Sequence, residues 1–205
     1  MPGALSVALE TSTLPNPSVP PRERILTAAR DLFYRYGLHS VGVDAIAEAA
    51  GTNKMTLYRH FVSKDQLIAE CMRQIADEFW TAGESIAHQH AGDPKGQLMA
   101  WLSLVVDCKK EGADRGCALA NAAVQLPDPD HPAKRVIEET KSRFRAKIIG
   151  LCREAGLLEP ELLADGLFLL CEGGRVSIQS VGPQGPAAQL PLMFEKLIEA
   201  HAPLA

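Results

Sequence analysis

The chain has 205 residues, of which 46% are hydrophobic and 22% charged, with a formal net charge of −4. This composition excludes a collagen-like or wholly disordered chain, and no apolar run approaches the ~20 residues needed to span a bilayer. The length accommodates one domain, or a small domain joined to a larger one.

Residues 1–21 contain Pro2, Pro15, Pro17, Pro20 and Pro21 among Ser, Thr and Asn, and read as a disordered or loosely held tail. From Arg22 onward the pattern is helical. Ile25, Leu26, Ala29, Leu32, Phe33 and Tyr36 recur at three- and four-residue spacing and predict a first helix over 22–36, stopped by Gly37. A short helix follows over 43–50, with Asp44 at its positive end and Gly51 closing it. Asn53 is placed to cap a third helix over 54–61, and Ser63 with Gln66 reads as a capping box for a long fourth. The fourth carries Leu67, Cys71, Ile75, Phe79, Ala82 and Ile86 along one stripe and fades near Gly92.

Asp93-Pro94 opens a fifth helix expected to reach Lys110, and a loop over 111–115 leads to a sixth over 116–126. After the break at Pro127-Asp128-Pro129-Asp130, Pro132 starts a charged amphipathic helix ending at Gly156. An eighth covers 161–180, and a ninth covers 187–201 with Pro191 as an internal disturbance. The expectation is an all-α fold of about nine helices. It comprises the tail (1–21), a three-helix unit (22–66) and a helical bundle (67–205).

Charge is unevenly shared between these parts. Residues 22–73 hold eight basic and six acidic side chains, whereas the remainder holds 13 and 19. A mildly positive end on an acidic body points to a polyanion partner. The cysteines (Cys71, Cys108, Cys117, Cys152 and Cys171) include no CxxC pair. They form neither a disulfide framework nor a zinc site and suggest a reducing compartment. No leader-like segment opens the chain, so a soluble, cytoplasmic location is expected. Six histidines show no metal-ligand spacing beyond His88 and His90, and nucleophile-elbow and phosphate-loop strings are absent. Neither an enzyme nor a cofactor is expected.

The two short helices around Gly51-Thr52-Asn53 form a helix-turn-helix arrangement, in which the first helix braces the second against the major groove of DNA. Lys54, Met55 and Thr56 open the second helix within reach of base edges. Tyr58, Arg59, His60 and Lys64 offer donors and charge to phosphates. A turn glycine flanked by surface lysines also occurs in ordinary helical hairpins.

The run Ile46-Ala47-Glu48-Ala49-Ala50-Gly51-Thr52-Asn53-Lys54-Met55-Thr56-Leu57-Tyr58-Arg59-His60-Phe61-Val62-Ser63-Lys64-Asp65-Gln66-Leu67 is longer and more specific. It resembles the TetR family of bacterial one-component regulators, whose usual string is I-A-x-x-A-G-V-S-x-G-T-L-Y-x-H-F-x-S-K-E-x-L. The resemblance covers about residues 22–72. It implies phosphate contacts for Tyr58, His60 and Lys64, base reading by Lys54 and Thr56, and a packing role for Leu57 and Phe61. Arg59 is either a contact or a solvated charge. Three positions depart from the family pattern. Gly42 stands where Ser or Thr is common, Asn53 replaces Ser, and Met55 replaces Gly.

The same resemblance implies a homodimer on a pseudo-palindromic double-stranded operator, with an effector cavity in the bundle. Candidate lining residues are Trp101, Leu104, Val105, Cys108, Cys117, Asn121, Phe144, Ile148, Cys171 and Arg175. The apolar members also suit an ordinary core. Asn121 and Arg175 need polar partners, for which Glu172 lies one turn before Arg175. The expected effector is a small apolar or aromatic molecule, anionic if Arg175 meets it.

Cys117, after Arg115-Gly116 at a helix start, resembles the electrophile-sensing subset of the family. Such redox sensing is one alternative reading. A constitutive DNA-binding or protein-adaptor regulator without a ligand is another. The eighth and ninth helices, with Gly173-Gly174 offering close backbone approach, are the expected dimer interface.

Overall fold

A computed structural model describes residues 16, 18–106 and 115–203. Most of the 1–21 tail, Cys108, the expected end of the fifth helix and most of the loop after it lie outside the described residues. Among those described, the chain is all-α. Its helices are α1 (Pro21–Tyr36), α2 (Val43–Ala49), α3 (Lys54–His60), α4 (Lys64–Gln89), α5 (Pro94–Val106), α6 (Ala118–Gln125), α7 (Pro132–Glu154), α8 (Pro160–Val181) and α9 (Leu190–Ala200). Two compact units emerge, Met1–Leu67 and Ile68–Ala205.

The first unit is built on the apolar face of α1. Ile25, Leu26, Ala29, Leu32 and Phe33 are buried there, while Tyr36 at the end of that stripe is 37% exposed. Pro21 belongs to the first turn, where its missing N–H is no loss. Gly37 ends the helix at φ 84° and returns its N–H to the Phe33 carbonyl. Ile46 and Ala47 of α2, Leu57 of α3 and Phe61 just beyond it complete this core. Truncating such a side chain to alanine costs ~2–5 kcal/mol.

The second unit is a bundle whose core holds Leu98, Trp101, Leu102 and Val105 of α5, Phe144, Ile148 and Leu151 of α7, Leu163, Leu167 and Cys171 of α8, and Phe194 and Ile198 of α9. Phe79 and Trp80 of α4 pack against it. Ion pairs clip α7 to α8, Lys141–Glu172, Arg145–Asp165 and Arg153–Glu161.

Two features of the bundle differ from the sequence expectation. Pro191 does not disturb a helix interior. A 3-10 turn, Pro186–Gln189, precedes α9, and Pro191 lies in the first turn of α9, where no backbone donor is required of it. Gly174 is also not reserved for another chain's backbone, because a Cβ there would lie 2.3 Å from Leu190 Cδ1 of the same protomer. Its neighbour Gly173 does face open space.

Candidate nucleic-acid interface and effector region

The turn between α2 and α3 closes on backbone bonds. Gly51, at φ 60°, donates to Glu48, and Thr52 donates to Ala47. Arg24 Nη1 of α1 donates to the Gly51 carbonyl at 3.4 Å. Asn53 caps α3 as expected, its Oδ1 accepting from the Thr56 N–H at 2.9 Å. Ser63 Oγ accepts from the Gln66 N–H at 3.1 Å, while Gln66 Oε1 accepts at 2.7 Å from the N–H of Val62, one residue earlier than in the standard box.

With Leu57 and Phe61 inside, α3 turns Lys54, Met55, Tyr58 and Arg59 to solvent, and Thr56, His60 and Lys64 are half-buried. Lys54 Nζ lies 3.1 Å from Asp44 Oδ2 of α2, an exposed pair that exchanges partners at little cost. Lys64 Nζ sits 5.9 Å from the Phe33 ring centroid, and partial burial lowers its pKa below the ordinary lysine value. His60 Nε2 is buried without a hydrogen-bond partner among the described residues. Arg22 stacks over Phe61 at 5.3 Å, a cation–aromatic contact that composition did not reveal. Gly42 caps α2 in extended backbone (φ −85°, ψ 158°) with no side-chain bond, and a Cβ there would meet nothing within 4 Å.

In the bundle the apolar candidates converge. Trp101, Val105, Phe144, Ile148 and Cys171 are buried in one cluster, with Leu104 half-buried against it. Trp101 lies 5.2 Å from Phe79, 5.3 Å from Trp80 and 5.9 Å from Phe144, ring centroid to centroid. Phe168 joins Phe144 at 6.0 Å. Phe79 is recognisable on the α4 stripe, but Trp80 and Phe168 carry no periodic signal as wall residues. The Trp101 indole N–H is buried and makes no hydrogen bond among the described residues.

The polar candidates go elsewhere. Arg175 does not pair with Glu172. Its Nη1 donates to the Val105 carbonyl and its Nη2 to the Gly116 carbonyl, the latter at 2.6 Å. Glu172 instead binds Lys141 of α7. Asn121 Nδ2 donates to the Arg115 carbonyl at 2.6 Å, and Gln179 of α8 donates to that same oxygen. Arg175, Asn121 and Gln179 thus hold the segment leading into α6.

Cys117, the N-cap of α6, is half-buried with Lys141 Nζ at 3.7 Å from Sγ. Burial pushes the Cys152 thiol up to about 11 and the Cys171 thiol up to about 12. Among the described residues, no group of three or more His, Cys, Asp or Glu could hold a metal ion, and no helix is long and apolar enough to cross a membrane.

Comparison with known proteins places this geometry. The family profile described as bacterial regulatory proteins, tetR family, matches residues 25–71. The HTH-type transcriptional regulator UidR of Escherichia coli K12 is 44% identical over 55 residues, 27% of this chain and 28% of UidR. RutR of the same organism is 41% identical over 61 residues, 30% of this chain and 28% of RutR. The similarity thus spans less than a third of either curated relative. Solved structures extend it. SCO4454, a TetR-family transcriptional regulator from Streptomyces coelicolor, superposes with a TM-score of 0.83 at 27% identity, covering 89% of this chain and 96% of its own. A putative TetR-type regulator from Streptomyces avermitilis gives 0.73 at 27% identity, covering 89% and 98%. Residues 25–71 thus match the profile of bacterial regulatory proteins of the tetR family, and the helical order beyond them is similar to that of solved TetR-family regulators.

Proposed function

We propose that the protein is a dimeric, sequence-specific DNA-binding transcriptional regulator, a repressor that a small apolar or aromatic molecule releases from its operator in the cytoplasm. The observation that carries the reading is α3 itself. Leu57 and Phe61 anchor it in the core while Lys54, Met55, Tyr58 and Arg59 stand outward, on a profile match over 25–71. In this reading Tyr58, His60 and Lys64 hold the phosphate backbone, which fixes register, and Lys54 and Thr56 read bases. Lys54 exchanges Asp44 for a base acceptor when DNA arrives.

Dimerisation is supported by the outer face of α8. Leu162 (62% exposed), Leu169 (68%) and Val176 (60%) recur every seventh residue, with Gly173 between them, and Leu192 and Met193 of α9 are also uncovered. A helix seam of that period is suited to a second copy. One reading head alone covers too few bases for a useful specificity ratio.

The effector site is proposed within the aromatic cluster of Phe79, Trp80, Trp101 and Phe144, with the unpaired Trp101 N–H as its polar contact. Arg175 is engaged by two carbonyls, so an anionic effector is not required. Release demands that the effector bind one arrangement of the dimer more tightly than the DNA-bound one. The α4 helix carries Lys64 at one end and Phe79 and Trp80 further along, and is the proposed connection.

A second reading, an electrophile-responsive regulator, rests on the position of Cys117, which is only half-buried at the start of α6 with Lys141 Nζ 3.7 Å from its sulfur. One experiment addresses both readings. The operator is selected from random duplexes, footprinted, and challenged with a panel of neutral and acidic aromatic molecules and with N-ethylmaleimide. The proposal expects two protected half-sites about one helical turn (~34 Å) apart or slightly more. It also expects release by aromatic ligands that quench Trp80 and Trp101 fluorescence. Release by N-ethylmaleimide alone, lost in Cys117→Ser, would replace the ligand reading with the thiol reading.

A further inference from the structure

Among the described residues of the first unit, four large hydrophobic side chains are exposed, and three of them lie on α3 or the turn that leaves it: Met55 (84%), Tyr58 (44%) and Val62 (84%). Met55 is the one that opens the reading helix. Its neighbours are engaged in ways it is not. Lys54 is paired with Asp44, and the Thr56 N–H is held by Asn53. A thioether side chain has no proton to donate to a phosphate and gains nothing from water. It is also unbranched and polarisable, and adapts to a small apolar partner.

Among the base edges in the major groove, the apolar group is the 5-methyl of thymine. We infer that Met55 determines operator specificity by packing on a thymine methyl in each half-site, at the base step next to the one Lys54 reaches. The inference rests on the DNA-binding reading above and adds to it the identity of one base and the atom that is read. Because Met55 is so exposed, its replacement by alanine removes the side chain without opening the core, and alanine is the better helix former. Folding is therefore not at issue in the test.

The test uses the full chain and its selected operator. Each thymine is replaced in turn by deoxyuracil, which removes the 5-methyl and leaves every hydrogen-bonding group in place. Binding is followed by fluorescence anisotropy. Burying one methyl group corresponds to about a fourfold change in affinity. The wild-type protein should weaken about fourfold for the matching thymine in each half-site, and more than tenfold when both half-sites are changed. In Met55→Ala the thymine and deoxyuracil duplexes should bind alike, while Lys54→Ala should keep the methyl sensitivity.

Wild-type binding that tolerates deoxyuracil at every position would overturn the inference and leave the DNA-binding reading intact. Methyl sensitivity that persists in Met55→Ala would overturn it too, assigning the contact to another side chain. A selection that enriches no sequence would overturn the DNA-binding reading and this inference together.

Discussion

Gly83, in the middle of α4, faces the indole of Trp101. A Cβ placed on Gly83 would lie 1.9 Å from Trp101 Cη2 and 2.1 Å from Cζ2. To regain ordinary van der Waals contact the ring must retreat by at least about 1.5 Å. It has nowhere to go, being 2% exposed and hemmed in by Phe79, Trp80 and Phe144. Overpacking of this kind costs ~1–3 kcal/mol, and alanine in a helix interior returns about 1 kcal/mol relative to glycine. Gly83→Ala should therefore destabilise the protein by up to about 2 kcal/mol net, lowering the thermal midpoint by about 4–8 °C at the upper end for a chain of this size.

Circular dichroism of the helix content is the suitable probe, because tryptophan fluorescence is itself perturbed by the substitution. Trp101→Phe removes the clashing ring atoms, Cη2, Cζ2 and Cζ3. In that background Gly83→Ala should be neutral or stabilising, a coupling that a double-mutant cycle isolates. A neutral Gly83→Ala in the wild-type background, or an equal cost in both backgrounds, would refute the packing argument. Effector release should fail in Gly83→Ala at a temperature where the protein remains folded, because the displaced ring belongs to the proposed effector wall.

Leu169→Glu should yield folded monomer by sedimentation velocity, since the side chain is exposed, and operator binding should fall with it. Gly42→Ser supplies the hydroxyl cap that α2 lacks, in backbone and space that accept a side chain. It should stabilise the fold by a few tenths of a kcal/mol and tighten binding to all duplexes alike. Under native conditions iodoacetamide should label Cys117 well before Cys152 and Cys171, whose thiols burial keeps protonated, as peptide mass spectrometry would show.

The Arg145 and Arg153 guanidiniums hold the Asp165 and Glu161 carboxyls below their ordinary pKa values. Each contributes stability that is present above the unfolded-state pKa and is lost as pH falls through the lower folded value. Arg145→Met should thus return Asp165 to the ordinary range by NMR titration. It should also remove part of the acid-side stability loss below about pH 4.

What was legible in the sequence is local chemistry. Asn53 caps α3 because an Asx side chain reaches a backbone N–H within its own turn, and the α1 core follows from a 3.6-residue period. What was not legible depends on residues far apart in the chain. The carbonyls that hold Arg175 lie 70 and 59 residues away, and backbone acceptors leave no trace in composition, so the sequence pattern points to Glu172 instead. Nothing in the α8 pattern announces that Leu190 fills the space beside Gly174. At Pro191 the pattern is ambiguous, because an isolated proline inside an apolar period marks either a kink or a helix start. Only the preceding 3-10 turn distinguishes the two.

The central claim is that α3 reads a particular sequence. It is tested most directly by the ratio of affinities for the selected operator and for a scrambled duplex of the same length and composition, at ~150 mM salt. The account predicts a ratio of at least about 10³, with two protomers per duplex. It further predicts that Lys64→Ala weakens both affinities and lowers the salt slope by about one ion. Equal affinity for the two duplexes would contradict it.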